Sequence, residues 1–476
     1  MLNEWIVLKF GGNSVADLSC WQTIAEITRQ HLAKQLRPLI VCSALAGVTT
    51  KLEKLLVAAV KGAHEEPLQE IITSYEKLAT ELSLAPEKYI KNEIAELSRL
   101  VTGLSFTQEV TPSLHAKVLA FGEIILTKLG AAYLQNYHFP TTWCDARTCL
   151  KSINLPSQSS SSQYLAAKCA YQKDETVLEK LNSITNPVAL TQGFIASNTQ
   201  GETVLLGRGG SDTAAAYFAA KIAAVRCEIW TDVPGVYTTN PHAIPTGRLL
   251  KSLDYDEAQE IASMGAKVLH PYCIPPLKAN RIPLYVGYTR NPQRPGTEIT
   301  VQGRYKDVPI KSILTKPQVT LIQIETVQMW HQVGFVADVF QFFKKHGLSV
   351  DLISTSESTI TVSLDLQINS QNQQDVDTLL ADLNKICKAT KIVDCAIISI
   401  VGHNIRTVLP KIGEALKIFA GKKIYLVSQA SNDLNLSFVV DEGQALELAK
   451  KLHAMLIEEN IHSEAFDQSW QEEFSC

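Results

Sequence analysis

Two glycine-rich loops carry the residue types that phosphate chemistry requires. The first, Gly207-Arg208-Gly209-Gly210-Ser211-Asp212, follows an apolar strand pattern and opens the helical run Thr213–Lys221. Glycine permits a positive φ and a close backbone approach, so N–H groups can converge on an anion at the positive end of a helix. Arg208 adds a guanidinium, and Asp212 adds a carboxylate that can fix a lysine or a metal. Taken alone, the loop is equally consistent with a plain turn between a strand and a helix.

A second loop lies at the start of the sequence. The buried-strand run Glu4–Leu8 is followed by Lys9-Phe10-Gly11-Gly12-Asn13-Ser14-Val15 and then by helical apolar spacing from Ala16 to Gln35. Ligands of open parallel sheets bind beyond the carboxyl ends of the strands, so the two loops are expected to face one crevice. Neither loop matches the Walker A pattern or the dinucleotide pattern GxGxxG. The phosphate chemistry therefore belongs to another fold.

The order of the motifs resembles that of the aspartate kinases, which belong to the amino acid kinase family. The motifs are Lys9–Val15 without its fifth residue, Val41–Ala44 with Gly47–Thr49, Gly122-Glu123, Gly207–Asp212, Thr231–Thr238 and Gly265–Pro271. They span the first 300 residues, and the remainder resembles the paired ACT domains of the same kinases. The resemblance implies transfer of the γ-phosphoryl group of ATP to the β-carboxylate of L-aspartate. The product, 4-phospho-L-aspartate, begins the diaminopimelate route to lysine, threonine and methionine.

The same resemblance assigns a role to individual residues. The expected catalytic residues are Lys9, Asp212 and Lys267. The residues expected to bind aspartate are Ser43, Glu123, Arg208 and Ser211. The residues expected to bind ATP are Lys9, Gly11, Gly12, Gly209, Gly210, Thr231, Asp232, Tyr237 and Lys267. Mg²⁺ is expected to accompany ATP, and no separate metal site is predicted. By position alone, Glu123 would be an ordinary helix-face charge and Lys267 an ordinary solvated lysine.

Length and composition define the elements that must position these residues. A chain of 476 residues exceeds what one core supports, so two or three domains are expected. The hydrophobic share of 46% and the charged share of 19% are typical of a soluble globular protein. A formal net charge of −4 offers no basic surface for nucleic acid or an anionic membrane. No apolar run of about 20 residues and no basic signal region stands out, which favours a cytoplasmic location. The ten cysteines match no zinc or redox spacing, so reduced thiols are expected.

The predicted fold class is α/β, with a mainly parallel sheet covered by helices and two ferredoxin-like units after it. Strands alternate with helices over residues 1–300, which predicts a parallel sheet and forms the kinase domain. A breaker-rich boundary at Arg290–Thr297 ends that pattern. Beyond it, strands at Ile310–Leu314 and Val319–Ile324 open the first of two βαββα units. These units, assigned to residues 301–390 and 391–476, resemble ACT domains and imply a homodimer that pairs through them.

A regulatory site is predicted in the first ACT unit. In lysine-sensitive aspartate kinases the matching turn and strand end hold an amino-acid effector, so lysine is the expected ligand here. Backbone groups at Gly334, Phe335 and Val336 would bind its carboxylate, and Asp351 its ammonium. The strand that follows supplies three further candidates, Thr355, Ser356 and Glu357. The alternative for Asp351 is a solvated charge at a strand end.

Three residues depart from the family pattern. Asn13 stands where threonine is usual, and His242 and Tyr272 stand where arginines are usual. A mostly neutral imidazole cannot replace a guanidinium fork, so His242 is expected to weaken ATP binding. Two alternative functions remain: a catalytically weak kinase-like sensor of amino acids, and a kinase for another acidic amino acid, such as glutamate or acetylglutamate. Four intact residues argue against the sensor, namely Lys9, Arg208, Asp212 and Lys267.

Overall fold

The computed structural model describes residues 4–154, 159–266, 268–306, 308–325, 333–365, 373–460 and 464–474. These residues form two compact units. The first unit comprises Met1–Val236, Lys251–Tyr255 and Lys267–Gly303, and the second comprises Tyr237–Leu250, Asp256–Ala266 and Arg304–Cys476. Two segments of the kinase-like sequence therefore belong to the same unit as the carboxyl-terminal repeats.

The first unit is built on an eight-stranded sheet in the order β3-β4-β2-β1-β7-β10-β11-β9. Its strands are β1 (Glu4–Phe10), β2 (Leu36–Cys42), β3 (Thr141–Cys144), β4 (Val188–Gln192), β7 (Arg226–Thr231), β9 (Ser252–Asp254), β10 (Leu284–Tyr288) and β11 (Thr297–Thr300). Only the β10–β11 pair is antiparallel. β5 (Ile195–Ser197) and β6 (Thr203–Leu205) form a separate two-stranded antiparallel sheet. β1 is buried from Trp5 to Phe10, as expected of a strand covered on both faces.

Helices cover this sheet. They are α1 (Leu18–Ala33), α2 (Val48–Val60), α3 (Glu65–Glu81), α4 (Pro86–Tyr89), α5 (Lys91–Thr107), α6 (Pro112–Asn136), α7 (Ser160–Leu165), α8 (Glu175–Asn182), α9 (Gly210–Lys221) and α11 (Ile274–Ala279). α6 begins where Thr111 accepts a hydrogen bond from the N–H of Leu114 and Pro112 takes the first helical position. By length and composition α6 could span a membrane, but 83% of its most apolar window is buried inside the structure. Its apolar side chains are thus already covered by the protein.

The second unit contains a six-stranded antiparallel sheet in the order β13-β14-β12-β15-β17-β16. Its strands are β12 (Ile310–Glu325), β13 (Ile353–Thr355), β14 (Thr359–Asp365), β15 (Lys388–Gly402), β16 (Ile424–Gln429) and β17 (Asn435–Asp441). Its helices are α12 (Phe335–Lys345), α13 (Gln373–Leu383), α14 (Leu409–Ala415) and α15 (Glu442–Leu456). β8 (Arg248–Leu250) pairs with β18 (Phe466–Ser469), and α16 (Trp470–Phe474) follows. α10 (Tyr255–Ser263) begins at the last residue of a first-unit segment.

The two strands predicted at Ile310–Leu314 and Val319–Ile324 are halves of the single strand β12. Pro317 has no N–H to donate and Gln318 has a φ of 58°, and the pairing with β15 shifts register between Lys316 and Val319. The ladder is interrupted there without ending the strand. Each half of β12 serves one ACT-like repeat, and β15 is shared in the same way, so the predicted boundary after residue 390 falls within a strand.

Side chains from the kinase-like sequence are built into the second unit. Oγ1 of Thr238 is 2.8 Å from Nε2 of the buried His453, and the carbonyl of Thr238 accepts from the N–H of Ile313 at 2.7 Å. Asn435 donates to the carboxylate of Glu260. Because buried polar groups are costly to leave unpaired, these bonds fix the kinase-derived segments to the antiparallel sheet and its helices.

Candidate active site

An ion pair joins the two glycine loops in the first unit. Lys9 lies one residue before the end of β1, and Asp212 lies in the first turn of α9. Nζ of Lys9 is 2.5 Å from Oδ1 of Asp212, and the two side chains are only 9% and 13% exposed. The parallel register places Lys9 between Val41 of β2 and Ile229 of β7. The structure therefore brings the predicted ammonium to the predicted phosphate loop, at the carboxyl ends of three adjacent strands.

The Lys9–Val15 loop is closely packed at its glycines. A Cβ on Gly12 would lie 3.0 Å from the carbonyl oxygen of Ala44, and one on Gly11 would lie 3.4 Å from Nζ of Lys9. The N–H of Ser43 donates to the carbonyl of Phe10 at 3.1 Å, so Ser43 follows β2 beside this loop. The N–H of Gly11 donates to the carbonyl of Trp230 at 3.3 Å, and glycine at position 12 lets the loop pass close to the backbone of Ala44.

The Gly207–Asp212 loop turns through two residues of positive φ before α9 begins. Gly207 and Gly209 have φ values of 73° and 66°, and a Cβ on Gly209 would overlap the imidazole of His270. α9 then starts at Gly210, so the positive end of its dipole faces the loop. Arg208 is exposed and Ser211 is half-buried. The loop has the shape of an anion-binding helix start, as its sequence predicts.

Glu123 is buried on α6. Its Oε1 accepts a hydrogen bond from the N–H of Ala44 at 3.0 Å, whereas Oε2 has no partner. Burial raises the pKa of the Glu123 carboxyl to about 8, although the bonds from backbone N–H groups act in the opposite direction. A buried carboxyl oxygen without a partner has the chemistry to receive the ammonium of a substrate.

The nucleotide-binding candidates divide between the two units. Thr231 ends β7 in the first unit and Asp232 follows it, and Oδ2 of Asp232 accepts from the amide of Asn13 at 2.8 Å. Tyr237 is buried and belongs to the second unit, where its ring meets Trp470 edge-to-face with centroids 5.6 Å apart. Asn13, one of the three departures from the family pattern, thus connects the Lys9–Val15 loop to the end of β7.

The remaining departures also have aromatic neighbours. The exposed imidazole of His242 packs edge-to-face on Trp470 of α16, with centroids 4.8 Å apart. The exposed ring of Tyr272 lies 5.0 Å from the His270 ring and 5.8 Å from the ammonium of Lys168. Lys267 lies outside the described residues, so its predicted catalytic role remains a prediction.

The predicted effector residues all lie in the second unit. Gly334, with a φ of 92°, precedes the first turn of α12, and the Phe335 side chain is buried in the core under that helix. Val336 is exposed, and so are Thr355, Ser356 and Glu357 at the turn between β13 and β14. Asp351 precedes β13, and its carboxylate is ion-paired with Lys316. No local sequence pattern predicted Lys316 as the partner of Asp351.

Three other contacts escaped the sequence analysis. His270 was noted only as part of a motif, but its ring supports Gly209. The N–H of Ala44 holds Glu123, and the hydroxyl of Tyr75 donates to the carbonyl of Gly122 at 2.7 Å. A glycine at position 122, within a helical run, was a usable signal in the sequence. The structure explains it, because a Cβ there would lie 2.9 Å from that of Ala44. Tyr75 occupies an ordinary apolar helix position and carried no signal.

Comparison with known proteins decides the family. The model of the amino acid kinase family matches residues 4–288. Lysine-sensitive aspartokinase 3 of Escherichia coli is 30% identical over 462 residues, covering 96% of this chain and all of the relative. The chain belongs to the aspartokinases, within the amino acid kinase family. The predicted family, fold class and enzyme class are therefore confirmed.

Relatives and solved structures place this aspartokinase more closely. Chloroplastic aspartokinase 1 of Arabidopsis thaliana is 30% identical over 97% of the chain and 82% of its own length. The structure of E. coli aspartokinase III with aspartate and ADP, in the R-state, matches with a TM-score of 0.82 at 28% identity, covering 95% of this chain and 100% of that chain. The structure of the same enzyme with lysine and aspartate, in the T-state, matches with a TM-score of 0.74 at 29% identity, covering 96% and 100%.

The raised pKa of Glu123 predicts a pH-dependent stability. The unfolded carboxyl ionises near 4.5 and the folded one near 8, so the free energy of unfolding should fall as pH rises through this window and then level off. Glutamine does not ionise. Glu123→Gln should therefore gain stability relative to wild type between pH 5 and pH 8.5, by up to about 4 kcal/mol.

Urea unfolding at the two pH values measures this difference. Glu66→Gln, which removes an exposed carboxylate from α3, corrects for the change in overall charge. An equal stability difference between Glu123→Gln and wild type at both pH values would show that Glu123 ionises alike in the folded and unfolded chain.

Proposed function

We propose that the first unit transfers the γ-phosphoryl group of ATP to the β-carboxylate of L-aspartate, as the first step toward lysine, threonine and methionine. The observation that carries this proposal is the buried Lys9–Asp212 pair between two glycine loops. The E. coli relative of known structure, solved with aspartate and ADP, supports the choice of substrates.

The chemistry explains why cations and N–H groups dominate the site. The nucleophile is already a carboxylate and needs no general base, but it must approach a second anion. The enzyme must therefore offset repulsion and neutralise the charge that spreads over the transferred group. We assign this work to Lys9 and Lys267, with Asp212 orienting Lys9, and to the N–H groups of Gly12 and Gly209. The N–H groups of Gly11 and Gly210, which the sequence also predicted for this role, already donate to the carbonyls of Trp230 and Gly207.

The substrate side is proposed to consist of Arg208, Ser43, Ser211 and Glu123. Arg208 is exposed on the loop and can offer a guanidinium fork to a carboxylate of aspartate. Glu123 would face the α-ammonium, which would favour the ionised form of this carboxyl. The unpartnered Oε2 supports that assignment.

The nucleotide side of the first unit is proposed to include Thr231 and Asp232. Mg²⁺ would enter with ATP, as in other phosphoryl transfers. Among the described residues, no group of three or more His, Cys, Asp or Glu could hold a metal. The phosphates of ATP would then supply most of the ligands of Mg²⁺. Asp232 is the exposed carboxylate among the proposed nucleotide-side residues.

For the second unit we propose feedback inhibition by lysine and pairing of two chains. The N–H groups at the start of α12 would bind the effector carboxylate and Asp351 its ammonium. The solved T-state structure of the E. coli enzyme with lysine supports this choice. Exposed apolar side chains at Val336, Ile353 and Ile386 support a homodimer through the same unit, which light scattering would test.

One assay separates this function from its alternatives. ATP turnover is measured with aspartate, glutamate and acetylglutamate, and hydroxylamine traps the acyl phosphate. Turnover with aspartate alone is expected. Turnover with another acidic amino acid in its place would change the substrate, and binding of amino acids without turnover would indicate a sensor.

Lys9→Ala should lower kcat by about 100-fold or more, roughly 3 kcal/mol, and change the aspartate KM far less. The lysine charge is needed most where negative charge develops in the transition state. Steady-state kinetics measure this, with Lys54→Ala on the exposed side of α2 as the matched control. A kcat within about threefold of wild type would remove Lys9 from this role.

Arg208→Ala should raise the aspartate KM by about tenfold or more and leave the ATP KM nearly unchanged, because a charge-assisted bond to a carboxylate is worth roughly 1.5–3 kcal/mol. Arg208→Lys should recover only part of the loss, since an ammonium cannot form the bidentate pair. If the ATP KM rises instead, Arg208 belongs to the nucleotide side.

Asp351→Ala should raise the half-inhibitory lysine concentration by about tenfold or more, equivalent to about 1.4 kcal/mol of coupling, with little change in uninhibited kcat. Inhibition curves with lysine, threonine and methionine measure this. Asp377→Ala, which removes the partner of Lys391 in the same unit, is the control. Superimposable lysine curves would exclude Asp351, and inhibition by threonine alone would change the effector.

A further inference from the structure

Lys316 of the second unit already forms an ion pair with Asp351, the carboxylate proposed to bind the effector. Nζ of Lys316 lies 2.9 Å from Oδ2 of Asp351 and 3.0 Å from Oδ2 of Asp365. Lys316 lies on β12, Asp365 ends β14, and Asp351 precedes β13. These three residues, the Lys316 triad, bring together groups that are 35 and 49 residues distant from Lys316 along the chain.

We propose that Lys316 is a specificity-determining residue of the effector site, an internal counter-ion that competes with the ammonium of the effector for Asp351. When the effector binds, Lys316 gives up Asp351 and keeps Asp365. This inference rests on the proposed amino-acid regulation and adds the residue that sets its threshold.

The exposure of the two carboxylates indicates which of them is released. The Asp365 side chain is 10% exposed and that of Asp351 is 24% exposed, so a ligand from solvent reaches Asp351 more readily. Two carboxylates and one ammonium leave a net charge of −1, which one ligand ammonium can balance. Burial lowers the pKa of Lys316, but the two carboxylates outweigh it and raise that pKa overall. Lys316 thus remains a cation while it competes.

The triad lies where its rearrangement would reach the kinase-derived segment of the unit. Lys316 borders the register shift of β12. Leu352, next to Asp351, belongs to an apolar cluster against which Met264 packs. A Cβ on the neighbouring Gly265 would lie only 2.9 Å from the carbonyl oxygen of Thr315. The chain neighbours of both residues of the pair, Thr315 and Leu352, therefore pack against the segment Asp256–Ala266.

Two substitutions with opposite expected effects test the proposal. Lys316→Met removes the competitor, so the Kd of the full-length enzyme for L-lysine should fall by about threefold or more. Asp365→Asn removes the alternative partner and commits Lys316 to Asp351, so the Kd should rise by about threefold or more. These factors correspond to a partly exposed ion pair. Isothermal titration calorimetry measures both. Lys391→Met, which breaks an ion pair of β15 outside the Lys316 triad, should leave the Kd unchanged.

The opposite signs separate competition from a structural role, because loss of packing would weaken binding in both variants. Lys316→Gln replaces Lys316→Met if the latter does not fold. Shifts in the same direction, or no shift while wild type binds lysine, would overturn the role of Lys316 and leave the regulation intact. If wild type binds none of lysine, threonine and methionine, the proposed regulation fails and the competition with it.

Discussion

The proposed active site is organised around one ion pair, formed by Lys9 at the end of β1 and Asp212 at the start of α9. Removing two charges from water is costly, and a buried pair often stabilises a fold no more than apolar residues of the same size. Its benefit is therefore positional. The pair fixes an ammonium at the junction of two glycine loops, where three parallel strands end, and a carboxylate holds it before any substrate arrives.

Around that pair, backbones approach more closely than side chains would permit. Gly12 and Gly122 both face Ala44, whose N–H holds the buried Glu123, and Gly209 lies against His270. These contacts make the site a set of backbone donors supported by packed neighbours. Such a framework suits a reaction between two anions, because preorganised N–H groups need not rearrange as charge develops. The same packing deprives Glu123 of water, which raises the pKa of its carboxyl to about 8.

Local sequence patterns predicted the two loops, the parallel sheet and the repeated unit, because each depends on residues close together in the chain. The contacts that define the site join distant residues: Ala44 with Glu123 across 79 positions and Asn13 with Asp232 across 219. No periodicity encodes such partners. The strand predictions at residues 310–314 and 319–324 were wrong as separate elements, since Pro317 marks an interruption in one strand. Lys316 was missed because its partners, Asp351 and Asp365, lie 35 and 49 residues away in the sequence.

The membership of Tyr237–Leu250 and Asp256–Ala266 in the second unit bears on how this enzyme could be recombined with its relatives. A chimera joined near residue 303 would inherit Thr238, Glu260 and Met264 from one parent and their partners His453, Asn435 and Leu352 from the other. The chain would be continuous at its junction, but the residues that make these contacts would come from different parents. Exchange of regulatory halves therefore requires those two internal segments to travel with the carboxyl-terminal sheet, as a discontinuous graft and not as a tail.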